Sequence, residues 1–268
     1  YSPNKSIRIN VKNVFDNETN FMRGKMKDGN FQSPFRADAW GGAFTEGSSW
    51  HYTWSVLHDP KGLMNLMGGR KEFIDKLDAV FETEPTSDFS YYGFKIHEII
   101  EMELLNMGQY AHGNQPIQHA IYFYNYAREP WKTQQKIRYV LDNLYGPGPD
   151  GYCGDEDNGQ TSAWYVFSSL GFYPVAPVTG QYVIGSPLFD KVELILSNGK
   201  KLEINSENNS QSNFYIGELS LNGLEYNKNW ISHSDLVQGA KINFKMQNNP
   251  SDWGSDEFSV PYSMSDDK

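Results

Sequence analysis

The sequence of 268 residues is poor in cysteine, in basic residues and in long apolar runs. Its single cysteine, Cys153, excludes a disulfide within the chain, and no stretch is apolar over enough residues to span a bilayer. The 23 lysines and arginines are outnumbered by 33 aspartates and glutamates, which gives a formal net charge of -10. This charge argues against nucleic acid as a partner, because phosphates attract basic surfaces.

Several catalytic signatures are also missing. The sequence has no G-x-S-x-G elbow, P-loop or G-x-G-x-x-G motif where one would function, and Cys153 has no placed histidine partner to activate it as a nucleophile. The first ten residues, YSPNKSIRIN, show no signal peptide, so we expect a mature chain or a fragment. Aromatic residues, in contrast, make up 15% of the chain. They favour surfaces that stack on sugars, although core packing is the alternative for most of them.

The first two thirds of the chain divide into an irregular part and a helical part. Residues 1–55 are irregular and rich in Asn, Gly, Phe and Trp. From residue 62 to residue 170, apolar residues recur at three- and four-residue spacing, which predicts about five or six helices. Asn114 is a plausible N-cap, and Gly171 marks a helix end.

After residue 180 the period changes from helical to two. The segment KVELILSNGKKLEINS contains two alternating runs joined by Asn198 and Gly199, which is a strong hairpin signal. Asn222 and Gly223 form a second hairpin signal of the same kind, and AKINFKM predicts a further strand. Helices followed by strands predict an α+β protein with an antiparallel sheet towards the C-terminus.

The first candidate site is the segment TEGSSWHYTW. Glu46 lies in a Gly/Ser loop and is followed by Trp50, Tyr52 and Trp54. A carboxyl group beside indole rings is partly desolvated, which raises its pKa and suits a general acid. The alternative is a loop glutamate that caps a helix beside core tryptophans.

The second candidate site is GYCGDEDNGQTSAWYVF, with three adjacent acids between glycines. In an extended loop Asp155 and Asp157 point to the same side and Glu156 to the other. The two aspartates could then share a water as a general base, or bind Ca²⁺ through hard oxygens. The alternative is acidic charge that complements the dipole of the following helix, for which one acid would suffice.

The third candidate site joins one predicted helix to the segment that follows it. His97, Glu98 and Glu101 lie on or near that helix. The two later histidines, His112 and His119, are seven residues apart, which is not a zincin spacing and disfavours zinc. Carboxylate and amide oxygens suit calcium better, and on this chemistry the predicted ligands are Glu98, Asn114 and Gln115.

Four segments in order resemble glycoside hydrolase family 92: TEGSSWHYTW, HGNQPIQH, GYCGDEDNGQTSAWYVFSSLGFYPV and YVIGSPLFDKVEL. The resemblance implies a calcium-dependent, exo-acting α-mannosidase, in many members specific for α-1,2 links. It also implies an N-terminal β-sandwich and an (α/α)6 catalytic toroid. We therefore expect residues 1–175 to be about half of such a toroid. Residues 176–268 would supply antiparallel strands that pack on or complete the sandwich, and the N-terminal part would be missing.

The resemblance also implies residue roles. Glu46 would be the acid of an inverting hydrolysis, and Asp155 and Asp157 would activate water, with Asp157 favoured as the base. Glu98 would line the substrate subsite, where we also expect contributions from three other residues, His97, Trp50 and Trp54. The calcium would bind the O2 and O3 hydroxyls of the terminal mannose.

The resemblance finally implies mannose-containing glycans as substrates, in N-glycan degradation, and a secreted, periplasmic or cell-surface location in bacteria. Two alternatives remain open at this point. One is a carbohydrate-binding or structural module without catalysis, and the other is a different (α/α)6 glycosidase, such as one that cleaves glucosides.

Overall fold

The computed structural model describes the backbone of residues 5–267 and the side chains from residue 10 onward. It combines helices with β-sheets, which confirms the predicted α+β class. The α-helices are α1 (Lys5–Val14), α2 (Ser49–Tyr52), α3 (Pro60–Leu66), α4 (Arg70–Glu82), α5 (His97–Leu104), α6 (Gln115–Gln118), α7 (Phe123–Tyr126), α8 (Pro130–Asn143), α9 (Gln160–Leu170) and α10 (His233–Val237). The strands are β1 (Phe15–Asp16), β2 (Phe21–Met22), β3 (Phe172–Tyr173), β4 (Gln181–Ile184), β5 (Lys191–Ile195), β6 (Lys201–Glu207), β7 (Tyr215–Leu221), β8 (Leu224–Glu225), β9 (Trp230–Ser232) and β10 (Lys241–Gln247).

The chain forms two compact units. The first unit contains the described part of Tyr1–Ala120 together with Tyr152–Asp155 and residues 263–267. The second unit contains Ile121–Gly151 and Glu156–Tyr262. Helices α1 to α6 therefore belong to the first unit, and the two larger sheets belong to the second.

The N-terminal stretch is more regular than predicted. Residues 5–14 form helix α1, and β1 and β2 pair as a short antiparallel hairpin. The prediction of an irregular segment over residues 1–55 is wrong for these parts, and its first four residues lie outside the described residues. The helix was missed because Ile7, Ile9 and Val11 alternate with a period of two.

The helices of the central part follow the predicted spacing. Helix α4 buries four residues that share one face, namely Phe73, Ile74, Leu77 and Val80. Asp59 caps α3, because its Oδ1 accepts the Gly62 N–H at 3.1 Å. Helix α9 ends at Gly171, whose φ of 96° is the left-handed conformation that glycine adopts without strain. No helix of the described residues is long and apolar enough to cross a membrane.

The larger sheet of the second unit has five strands in the order β5-β6-β10-β7-β8. Gly199 and Gly223 lie at the two predicted turns with positive φ, and both hairpins form as expected. Strand β10, however, pairs parallel with β6, so the prediction of a purely antiparallel sheet is wrong. The connection from β6 to β10 contains other strands and helix α10, and such a long crossover lets two strands run in the same direction.

The core of the second unit follows the alternation of these strands. Leu202 and Ile204 of β6 and Ile242 and Phe244 of β10 are buried, while the residues between them are more exposed. Side chains on a strand point alternately to opposite faces, so the same alternation that predicts the strands also selects their core residues.

Candidate active site

Six of the predicted site residues that carry polar groups lie in the first unit. They are Glu46, His97, Glu98, Asn114, Gln115 and Asp155. Asp157 belongs to the second unit. Asp155 and Glu46 are far apart along the chain, so their approach depends on the fold of the first unit rather than on local sequence.

Glu46 is held on a loop that ends in a capped helix. Ser48 caps α2, and its backbone N–H donates to His51 Nδ1 at 3.0 Å. His51 Nε2 lies 2.9 Å from the carbonyl oxygen of Gln109, and burial lowers the pKa of this histidine to about 4. The neutral tautomer with hydrogen on Nε2 satisfies both contacts. The Gly41 N–H donates to the Gly47 carbonyl at 3.0 Å and closes the loop around Glu46.

The surroundings of Glu46 differ from those predicted. Its side chain is exposed, so the expectation of a carboxyl desolvated by tryptophan rings is wrong for this structure. Trp54 is fully buried and packs edge-on against Phe73, so it supports the loop from the core and does not line a subsite. Trp50 is half-buried, with its ring edge-on to Phe21 at 4.8 Å. Neither ring is therefore fully exposed to a substrate in this structure.

Two consecutive residues connect the loops of Glu46 and Asp155. Asn114 Nδ2 donates to the carbonyl oxygen of Glu46 at 3.5 Å. Gln115 Nε2 donates to the carbonyl oxygen of Asp155 at 3.4 Å. The residues at the start of helix α6 therefore contact the backbone of both acidic residues, so both loops lie against one short segment.

Two glycines allow the Asp155 loop to approach this segment. A Cβ on Gly154 would lie 2.5 Å from the Cα of Gly113, and a Cβ on Gly113 would lie 2.6 Å from the carbonyl oxygen of Cys153. Neither contact leaves room for a side chain. Because backbone atoms cannot yield as a flexible side chain can, both positions require glycine.

His97 is the centre of a cluster of carboxylates on helix α5. Its Nδ1 lies 3.0 Å from Glu101 Oε1, and its Nε2 lies 3.3 Å from Glu98 Oε1 and 3.6 Å from Asp155 Oδ2. The hydrogen bond to Glu101, with the charges of the other two acids, raises the pKa of His97. The imidazole thus connects the helix that carries Glu98 to the loop that carries Asp155.

Glu101 belongs to the third candidate site predicted from the sequence, although no specific role was predicted for it. It lies one turn after His97 on the same face of α5, and desolvation by burial raises its pKa. The spacing of four residues between a histidine and an acid on a predicted helix is the signal that could have identified it.

The three adjacent acids divide into different roles. Glu156 caps helix α9: its Oε2 accepts the Gly159 N–H at 2.7 Å, and its Oε1 accepts the hydroxyl of Ser162. The hydrogen bond from Ser162, followed by that from Gly159, lowers the pKa of Glu156. The predicted helix-charge role therefore falls to the middle acid, Glu156.

The loop is not extended at Asp157. Its φ is 49°, and Asn158 and Gly159 also have positive φ, so the chain turns here. The condition under which Asp155 and Asp157 would point to the same side, an extended loop, is therefore not met. A left-handed aspartate is uncommon, and such conformations often occur at functional positions.

The two later histidines are structural. His112 is fully buried with its Nδ1 2.7 Å from the Tyr110 hydroxyl, and burial lowers its pKa to about 3. His119 Nε2 lies 2.7 Å from the Trp54 carbonyl oxygen, and its pKa is lowered to about 4. Within residues 5–267, no group of three or more His, Cys, Asp or Glu side chains has a geometry able to hold a metal ion.

Two buried carboxylate oxygens near His97 have no hydrogen-bond partner among the residues that the structure describes. They are Oε2 of Glu98 and Oε2 of Glu101. Unpartnered buried oxygens are unusual in folded proteins and call for a ligand, an ion or ordered water. Carboxyl groups are also the residue type that glycoside hydrolases use as acid and base.

Comparison with known proteins gives the family. Residues 8–248 match the family model described as the glycosyl hydrolase family 92 catalytic domain. The chain belongs to this family, as its sequence motifs predicted.

Solved structures of the family are similar over nearly the whole chain. A family GH92 inverting mannosidase from Bacteroides thetaiotaomicron is 52% identical with a TM-score of 0.83, over 95% of this chain and 35% of its own. A family GH92 α-mannosidase from the same organism, solved with mannoimidazole, is 36% identical with a TM-score of 0.85, over 94% of this chain and 33% of its own. The chain thus spans about a third of the length of these structures.

A curated relative is more distant. An uncharacterized secreted glycosidase from Arthroderma benhamiae is 27% identical over 82% of this chain and 26% of its own length. It supports the general class of glycosidase without specifying a substrate.

Proposed function

We propose that this chain carries the acid and base residues of an exo-acting, inverting α-mannosidase that removes terminal α-1,2-linked mannose from glycans. The observation that carries the proposal is the contact of Asn114 with the backbone of Glu46 and of Gln115 with that of Asp155. It brings two acidic loops to one short helix. The similarity to family GH92 mannosidases supports mannose as the sugar.

In the proposed reaction Glu46 protonates the leaving oxygen. Its exposure in this chain suits a group that must meet the departing sugar. Asp157 takes the proton of the attacking water, and Asp155 orients that water. Inversion needs room for water between the two carboxyl groups, which are typically about 6.5–9.5 Å apart.

Subsite contacts are proposed for the cluster on helix α5. Glu98 and His97 carry hydrogen-bonding groups beside Asp155, and mannose presents hydroxyls that such groups bind. Trp50 is proposed to support this site, since its half-buried ring packs on Phe21.

Calcium is proposed as the cofactor, and the donor chemistry fits it. The unpartnered Oε2 atoms of Glu98 and Glu101 are buried hard oxygens, and Asn114 and Gln115 add amide oxygens in the adjoining segment. These four residues would hold the ion. When bound, it would supply positive charge and coordination positions for the O2 and O3 hydroxyls of mannose. The residues of the chain would orient the sugar around it.

The activity is proposed for the enzyme as a whole, because the chain spans only about a third of its solved relatives. Residues 1–175 would form about half of an (α/α)6 catalytic domain, and residues 176–268 would complete a β-sandwich. The remaining N-terminal part would supply the rest of the site. A secreted, periplasmic or cell-surface location and a role in N-glycan degradation are proposed on the same basis, supported by the secreted relative.

The test compares this chain and the full-length enzyme on an α-1,2-mannobiose, with and without EDTA. We expect turnover by the full-length enzyme, its loss on chelation and its recovery with added Ca²⁺. The Glu46→Gln variant should lose activity on this substrate, because the leaving sugar needs a proton. Binding of glycan without turnover by the full-length enzyme would instead support a carbohydrate-binding module. A panel of aryl glycosides completes the test, and preferential cleavage of an aryl glycoside of another sugar, such as glucose, would indicate another (α/α)6 glycosidase.

A further inference from the structure

Tyr92 lies in an aromatic loop that contacts the segment of Glu46. Its hydroxyl donates to the carbonyl oxygen of Thr45, the residue before Glu46, at 3.2 Å. The loop turns back at this point, since the N–H groups of Tyr92 and Gly93 both donate to the Phe89 carbonyl, at 3.0 and 3.2 Å. These two hydrogen bonds hold the backbone that carries Tyr92, and the contact with Thr45 orients its phenol.

The base of the same loop is fastened to the strand-like segment before Glu46. The Trp40 N–H donates to the Asp88 carbonyl at 2.9 Å, and the Asp88 N–H donates to the Asp38 carbonyl at 2.9 Å. Asp88 also accepts the Ser90 N–H through its Oδ1 at 3.0 Å. The Tyr92 hydroxyl therefore adds a side-chain contact to a segment that is already positioned by backbone hydrogen bonds.

The electrostatics of the phenol fit a permanent donor. Partial burial, followed by the negative charges of Glu46 and Glu98, raises the pKa of Tyr92. The hydroxyl therefore keeps its proton through the neutral range.

We propose that Tyr92 is a positioning residue that holds the Thr45–Glu46 peptide so that the Glu46 carboxyl is aimed at the leaving oxygen. This inference rests on the proposed function. It follows from the hydrogen bond to Thr45 and from the anchored loop around it. A small change in the direction of a general acid lowers proton transfer strongly while leaving substrate binding in place.

The test is Tyr92→Phe in the full-length enzyme, with Tyr91→Phe as a matched control. Tyr91 is the neighbouring tyrosine, it is 68% exposed, and its hydroxyl makes no hydrogen bond within the described part of the chain. Both variants remove one hydroxyl and keep the ring. The substrates are α-1,2-mannobiose, which needs protonation of its leaving group, and an aryl α-mannoside with a good leaving group.

Tyr92→Phe is expected to lower kcat on mannobiose about tenfold or more, with KM and the rate on the aryl mannoside nearly unchanged. Tyr91→Phe should leave both substrates unaffected. Equal losses on both substrates, or an effect of Tyr92→Phe no larger than that of Tyr91→Phe, would overturn the positioning role. A wild-type enzyme that cleaves no mannoside would count against the proposed function itself, so the two failures are distinguishable.

Discussion

The sheet of the second unit and the acidic loops of the first unit are built on different principles. The sheet rests on one apolar cluster that includes Leu202, Ile204, Ile242 and Phe244. Charged side chains lie on the outside of the sheet. Lys201 Nζ, for example, lies 2.9 Å from Glu193 Oε1 and 3.4 Å from Glu203 Oε2. Such exposed pairs contribute little, so the stability of the sheet comes from burial of alternating side chains.

The acidic loops are held by polar contacts instead. The first unit buries His51, His112 and His119 and leaves carboxylate oxygens of Glu98 and Glu101 without partners. Buried carboxylate oxygens that lack hydrogen bonds cost free energy unless a ligand or an ion supplies the missing contacts. The five-stranded sheet is therefore organised around one apolar cluster, whereas the segment around His97 is organised around carboxylates that a structural role alone does not explain.

The largest expected effect comes from the aspartate proposed as the base. Asp157→Asn in the full-length enzyme should lower turnover by a factor of at least about 10², because the amide cannot accept the proton of water. Glu193→Gln, which removes an exposed carboxylate from the sheet, is the matched control and should change turnover little. The measurement is the steady-state rate of each variant on an α-mannoside. Equal rates for the two variants would contradict a catalytic role of Asp157.

A smaller effect is expected where the Asp155 loop meets Gly113. Gly154→Ala places a methyl group 2.5 Å from the Gly113 Cα, so the loop must shift and turnover should fall about tenfold. Gly146→Ala is the control, since its Cβ would meet nothing closer than 4.0 Å. Turnover of both variants should be compared together with their melting temperatures. Unchanged turnover of Gly154→Ala would show that the close approach does not position the loop.

The smallest expected effect is a difference between the two units in how their stability changes with pH. Burial lowers the pKa of His51 and His119 to about 4 and of His112 to about 3, against about 6.5 in an unfolded chain. The unfolded state therefore binds more protons between these values. The contribution of these neutral histidines to the free energy of unfolding is fully present above pH 6.5 and is lost as the pH falls towards 4.

Hydrogen exchange between pH 7 and pH 5 measures this difference region by region. Amides of the first unit should lose protection before those of the sheet, because His51, His112 and His119 all lie in the first unit. Equal loss of protection in both regions would contradict this explanation.

The sequence predicted the second unit better than the first for a physical reason. The turns at Gly199 and Gly223, and the strands beside them, depend on local chemistry and alternation that a sequence displays. The parallel pairing of β10 with β6 could not be read in the same way, because the direction of a strand depends on where a long connection returns.

The candidate site likewise combines residues that the sequence could predict with features that depend on tertiary contacts. Residue types and order predicted roles for Glu46, Glu98 and Asp155 through the family motifs, and these roles stay predictions. The exposure of Glu46 and the role of Glu156 as a helix cap depend on tertiary contacts that composition does not show. The proposed positioning role of Tyr92 could not be predicted from the sequence, because a tyrosine in an aromatic loop carries no motif of its own.

The central claim is that the Glu46 carboxyl and the carboxylates of Asp155 and Asp157 face one mannose from opposite sides. A crystal structure of the full-length enzyme with Ca²⁺ and a mannose-mimicking inhibitor measures this directly. We predict that Glu46 and the nearer aspartate contact opposite faces of the sugar ring, with their carboxyl groups about 6.5–9.5 Å apart. An inhibitor bound elsewhere, or a sugar that contacts only one of the two loops, would contradict the claim.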